Sequence, residues 1–302
     1  LNRFHGRISL WYFSNYGLCV EPSGLELQHS NMLINGSLTM TKQALVLLFG
    51  CLAALLVSGE VVTKDISYRQ GVTELKGMLA YDDAISDKRP GVLVVHVWWG
   101  HNPYARKRAK MLAELGYVAL AVDMYGNGKT ADHPDDAGKF SSAVGSNPTL
   151  ARARFDAALN TLKQQSSVDS NHIAAIGYCF GGGILLNMAR MGTDIDGVVS
   201  YHGSLATSNP AKAGDIKTQI RVFNGADDPM VKPEDITAFK QEMDAAGVNY
   251  RFINYPGAKH SFTNPDADTF GKKFNLPLAY NEEADKDSWE QTQVFFKEIF
   301  KD

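Results

Sequence analysis

Residues 173–190, IAAIGYCFGGGILLNMAR, decide the fold. A short apolar run from Ile173 to Tyr178 reaches a cysteine, passes through three glycines and continues as a helical pattern. Short, β-branched-rich runs of this kind read as buried strands, so the stretch predicts a strand that turns sharply into a helix. Gly177-Tyr178-Cys179-Phe180-Gly181 is a glycine-x-nucleophile-x-glycine pattern with cysteine at the centre. So tight a bend needs small residues two positions to either side of the nucleophile, because larger ones would clash. The turn would lift the sulfur clear of the sheet and set it at a helix N-terminus, whose dipole favours thiolate. The spacing fits neither the GxGxxG fingerprint nor the lysine-containing phosphate loop.

The same alternation runs along the chain on both sides of this turn. After an opening hairpin (VVTKDISYRQG and TELKGMLAYD), unbroken apolar runs occur at Val92–Trp98, Tyr117–Met124, Gly197–His202, Ile220–Asn224 and Tyr250–Tyr255. Burial on both faces of a parallel sheet explains such runs. Amphipathic segments separate them: Tyr104, Met111, Leu112 and Leu115 share one helical face, and Ile236, Phe239, Met243 and Ala246 another. Asp287 to Phe300 reads as a terminal helix with Trp289, Phe296 and Phe300 on its docking stripe. The fold class is therefore α/β, a single domain built on a doubly wound, mostly parallel sheet, with its site at the carboxyl ends of the strands.

A thiol nucleophile needs a base, and the base needs an orienting acid; in such a sheet they follow in the order nucleophile, acid, histidine. FNGADDPMVKP and YPGAKHSFTNP each follow an apolar strand late in the chain. Of the eight histidines, His260 alone satisfies both order and position. The acid is Asp228 or its neighbour Asp227, and the form glycine-x-x-Asp-Pro-x-Val points to Asp228.

Composition limits the partners. The 302 residues are 44% apolar and 21% charged with a formal net charge of -3, which does not suit a nucleic-acid binder. The basic cluster Arg106-Lys107-Arg108-Ala109-Lys110 lies in a helical pattern and reads as a solvated face. Residues 1–39 lack periodicity and read as an upstream leader before Met40. Residues 40–59 have the layout of a secretory signal: Lys42, an apolar stretch from Ala44 to Val57, then small residues before Glu60. That stretch is shorter than the roughly 20 residues of a membrane span. The sequence therefore predicts an exported protein, periplasmic or secreted, with no stable span in the mature chain. Leu48-Phe49-Gly50-Cys51 is only a loose match to a lipid-attachment box. With Cys19 in the leader and Cys51 in the signal, residues 60–302 form the folded domain and keep Cys179 as their single thiol.

GVLVVHVWWGHNPYARKRAKMLAELGYVALAVDMYG, GYCFGGG, GADDPMV and GAKHSF, in this order from about residue 65 to the C-terminus, resemble the dienelactone hydrolase family of α/β-hydrolases. The resemblance implies a triad of Cys179, His260 and Asp228 and an oxyanion hole made by the backbone N–H groups of Trp98 and Phe180. It implies cleavage of an activated ester or lactone through an acyl-cysteine, with a small-molecule substrate and no metal or organic cofactor. The family places a glutamate near the thiol where this sequence has Val97, and a carboxylate-binding arginine where it has Asn264. Thiol activation is thus expected to fall on His260.

Val97, Trp99, Tyr125, His202 and Asn264 are candidate walls of the substrate pocket, and residues 126–147 a lid. The other reading of the same features is a ligand-binding protein without catalysis.

Overall fold

The computed structural model describes residues 59–301. The leader at 1–39 and all of the signal segment except Gly59 lie outside the described residues, as do Cys19 and Cys51. Eight strands form one sheet in the order β1-β2-β4-β3-β5-β6-β7-β8. The hairpin β1 (Val61–Gln70) and β2 (Thr73–Asp82) is antiparallel and pairs antiparallel with β4 (Val118–Ala121). From β4 onward all pairings are parallel, through β3 (Arg89–Val95), β5 (Val168–Tyr178), β6 (Gly197–Tyr201), β7 (Gln219–Gly225) and β8 (Tyr250–Tyr255). The chain steps from β3 to β4 on one side and then to β5 on the other. Beyond the carboxyl ends of β3 and β5 the connections part, leaving the crevice in which open sheets bind ligands.

Seven helices cover this sheet among the described residues: α1 (Pro103–Glu114), α2 (Pro134–Gly145), α3 (Pro148–Lys163), α4 (Phe180–Arg190), α5 (Pro233–Ala245), α6 (Ala267–Phe274) and α7 (Glu282–Ile299). Strand β3 shows why its run is apolar without alternation. Val92 and Val94 pack with Ala109 and Leu112 of α1 and Phe295 and Phe296 of α7, whereas Leu93 and Val95 pack with Phe155 and Leu159 of α3 and Leu185 of α4. Both faces of the strand are core. Among the described residues, no helix is long and apolar enough to cross a membrane.

Helix starts follow their caps. Asn102, Asn147 and Asn281 accept a backbone N–H from the first turns of α1, α3 and α7, and α1 and α3 also carry a proline at the first position. The terminal helix thus begins at Glu282, ahead of Asp287, and buries Phe295 beside Phe296.

Helix α1 corrects two sequence expectations. Its buried face is Tyr104, Ala105, Arg108, Ala109, Leu112 and Ala113, while Leu115 is exposed and Met111 half-buried. Arg108, expected on a solvated face, is buried at 3% exposure. Its guanidinium donates to Asp285 at 2.5 Å and to the carbonyl of Thr263 at 2.6 Å, and lies over the rings of Tyr104, Tyr178 and Trp289. A buried cation needs hydrogen-bond acceptors, and its two, Thr263 and Asp285, lie more than 150 positions away in the chain, beyond the reach of a local pattern.

Candidate active site

Cys179 sits between β5 and α4 with φ 53° and ψ −114°, a backbone conformation unusual for a side-chain-bearing residue. The flanking glycines make it possible. A Cβ on Gly177 would lie 2.4 Å from the Gly181 carbonyl oxygen, and one on Gly181 2.3 Å from that of Val95, so neither position admits a side chain without moving backbone. The Cys179 N–H donates to the Tyr201 carbonyl at 3.0 Å and to His202 Nδ1 at 3.1 Å, which pins the turn.

His260 follows β8, and Asp228 follows β7. Of the two candidate acids, Asp227 is exposed and Asp228 buried; Asp228 Oδ2 meets His260 Nδ1 at 2.7 Å. The other oxygen of Asp228 accepts the Met230 N–H at 2.8 Å, which fixes the carboxylate plane. His260 is 5% exposed, and its Nε2 is buried with no other hydrogen-bond partner among the described residues.

The electrostatics agree with this arrangement. Burial pushes the Cys179 thiol up, but the His260 charge and hydrogen bonds from His260 and the N–H groups of Phe180 and Trp98 outweigh it, so the thiol titrates below its ordinary value. Burial pulls His260 down, but the Cys179 charge and the Asp228 carboxylate carry it up to about 10. Both shifts run in the direction of a thiolate beside an imidazolium. The backbone N–H groups of Phe180 and Trp98 add to this by favouring the thiolate.

A cavity of about 600 Å³ opens over Cys179 and His260, walled by Trp98, Phe180, Met230 and Val231. Helix α2 closes one side through Ser141, Ser142 and Gly145, so the expected lid segment is an ordered helix flanking the cavity.

None of the five candidate pocket walls lines this cavity. Past the end of β3 the chain turns, with the Gly100 N–H donating to the Val97 carbonyl at 3.1 Å; Trp98 faces the cavity while Val97 enters the core at 4% exposure. Trp99 stacks on Phe270 at a ring distance of 5.2 Å and meets the tilted ring of Phe274 at 5.7 Å. Tyr125 turns its hydroxyl to the Trp98 carbonyl at 2.8 Å and so steadies that peptide. Asn264 caps a turn by accepting the Asp266 N–H. His202 lies beneath the turn: accepting the Cys179 N–H on Nδ1 places its proton on Nε2, which donates to Thr263 Oγ1 at 2.8 Å. Burial, then the charges of His260 and Arg108, push its pKa well below the ordinary value and keep it neutral.

Sequence reasoning missed two further supports, Arg108 and His96. Arg108 Nε donates to the Tyr104 hydroxyl, which meets Thr263 Oγ1 at 2.6 Å and so anchors the partner of His202. His96 is wholly buried, bonded to the Val97 carbonyl and the Met124 N–H, and stacked on Phe180. Its apolar strand context gave no sign of that role. The serines of α2 and Asn187 were missed as well, although Phe180, Gly183, Ile184 and Asn187 have a legible one-face helical spacing.

The profile of the dienelactone hydrolase family matches residues 75–300. The chain belongs to the dienelactone hydrolase family. It is 30% identical over 214 residues to protein usf of Aquifex pyrophilus, covering 69% of this chain and 88% of that one. It is 26% identical over 217 residues to an Aquifex aeolicus protein named for carboxymethylenebutenolidase, covering 70% and 89%. Among solved structures, a dienelactone hydrolase-like promiscuous phosphotriesterase from metagenomic libraries superposes with a TM-score of 0.75 at 35% identity, over 80% of this chain and all of that one. As a member of this family, the chain is a carboxylic ester hydrolase acting on small-molecule esters or lactones.

Proposed function

We propose that the protein cleaves activated esters or lactones through a Cys179-His260-Asp228 triad and an acyl-cysteine intermediate. The observation that carries this reading is the meeting of His260 Nδ1 with Asp228 Oδ2 at 2.7 Å, with Nε2 buried and unshared beside the strained Cys179. The thiolate attacks the carbonyl carbon, and the N–H groups of Phe180 and Trp98 stabilise the oxyanion. His260 gives its proton to the departing alkoxide or phenoxide, then takes one from the water that hydrolyses the thioester. Asp228 holds the imidazole in register and stabilises its cationic form. Thiolate leaves a tetrahedral intermediate more readily than an alkyl alkoxide, so the forward reaction favours substrates with a good leaving group, such as enol lactones and aryl esters.

The pH dependence tests this reading. Activity needs the thiolate and the imidazolium together, so it should fall at low pH as Cys179 protonates, below the free thiol value of about 8.5. It should fall again as His260 loses its proton towards about 10. The kcat/KM profile of para-nitrophenyl acetate hydrolysis is therefore expected to be bell-shaped with a broad top. A single rise centred at the free thiol value would contradict the ion pair.

The apolar stretch Ala44–Val57 supports an exported enzyme. A mature N-terminus near Glu60, measured by mass spectrometry on protein from its native host, is the expected result; a retained stretch would refute export by cleavage.

A further inference from the structure

The site described above continues beyond the thiol. A second cavity of about 380 Å³ adjoins the first, and the two share Gly145, Ile184, Asn187 and Ala206. Helix α4 forms the common floor. Phe180, Gly183, Ile184 and Asn187 line the first cavity, and Ile184, Asn187, Met188 and Met191 the second. These positions recur at the three- and four-residue spacing of a single helix face. From Phe180 to Met191 the floor runs about 16 Å at the α-helical rise.

No free charge lines this path among the described residues. In the first cavity the ionisable side chains are Cys179 and His260, already paired with each other. The second contains Arg190, but its Nε and one NH2 nitrogen each bond the Glu242 carboxylate at 2.8 Å, in a pair only 4% and 7% exposed. A further bond to the Leu205 carbonyl occupies the same guanidinium. An anionic group entering here would meet no unpaired cation. The remaining polar side chains are neutral: the serines at 141, 142, 146 and 204 in the first cavity, Thr207, Ser208 and Asn209 in the second, and Asn187 at the joint. Along the helix beyond Phe180, Ile184, Met188 and Met191 supply apolar surface.

The second cavity contains no residue from the loops that carry Asp228 and His260. The leaving group must stay near His260 to receive its proton, so the part of the substrate that runs along α4 is the acyl part.

Resting on the hydrolase reading, we infer that the substrate is an electrically neutral ester or lactone with an extended acyl arm, lying along α4 from Cys179 towards Met191. A medium-length chain fits this path, and an acyl group ending in a carboxylate does not.

The test is a set of para-nitrophenyl esters. Octanoate should exceed acetate in kcat/KM by about tenfold or more, since each buried methylene adds favourable transfer energy. The methyl-capped adipate ester should exceed the free-acid adipate ester by about tenfold, since the carboxylate finds no cation along the path and forfeits apolar contact with α4. Ala206→Trp, at the exposed joint, should lower the octanoate-to-acetate ratio about tenfold, and Met191→Glu, at the exposed far end, several-fold, as burial of the chain is lost. A wild-type ratio near one, an equally good anionic ester, or a ratio unchanged in both variants would overturn the extended neutral arm. If no ester turns over faster than with Cys179→Ala, the hydrolase reading itself fails and the inference falls with it.

Discussion

Cys179→Ala should lower para-nitrophenyl ester turnover by roughly ten-thousandfold or more, to a residue supplied by the oxyanion donors and substrate binding alone. The change removes one sulfur and little else. Ala keeps a side chain small enough for a turn whose neighbours admit none at Gly177 and Gly181, and the backbone bonds to Tyr201 and His202 persist. Thermal unfolding should therefore shift far less than activity. Equal rates in the wild type and the variant would return the chain to the other sequence-based reading, a binding protein without catalysis.

His260→Ala should cost roughly a thousandfold to ten-thousandfold in kcat/KM, and should also change the thiol. Burial favours the neutral thiol, and in the native protein the His260 charge and hydrogen bond help outweigh it. With the imidazole gone, burial is opposed only by the two N–H groups, so the Cys179 pKa should rise above its native value. Thiolate absorbance followed through a pH titration measures this directly. A rate loss with an unmoved thiol pKa would leave His260 as a proton carrier without a standing ion pair, and would place the activation of Cys179 elsewhere.

The parts of this site legible in the sequence are those encoded locally. The glycines around Cys179 are a steric requirement of the turn, so their spacing announces it. The β3 and β5 runs are apolar on both faces because the sheet is covered on both sides there, whereas the last strand, β8, exposes Arg251 and Asn254 and is only half-buried; all the same, Cys179, Asp228 and His260 follow the carboxyl ends of β5, β7 and β8. Side-chain direction just past a strand end is another matter. One residue decides between cavity and core, as Trp98 and Trp99 show, and that choice depends on the rings of Phe270 and Phe274 far along the chain. The burial of Arg108 was equally hidden, since its carboxylate partner, Asp285, is 177 positions away. Val97 sharpens the same point. The position where the family resemblance implied a carboxylate is here part of the apolar core, and the charge facing the thiol comes from His260.

The central claim is that Cys179 carries the acyl group. Acid quenching during para-nitrophenyl ester turnover, followed by peptide mass mapping, tests it most directly. The account predicts one acyl group per chain on the peptide containing Cys179, absent in Cys179→Ala and persisting longer when water attack is slowed in Asp228→Asn. Steady turnover with no acyl mass on that peptide, or with the acyl group on another residue, would contradict it.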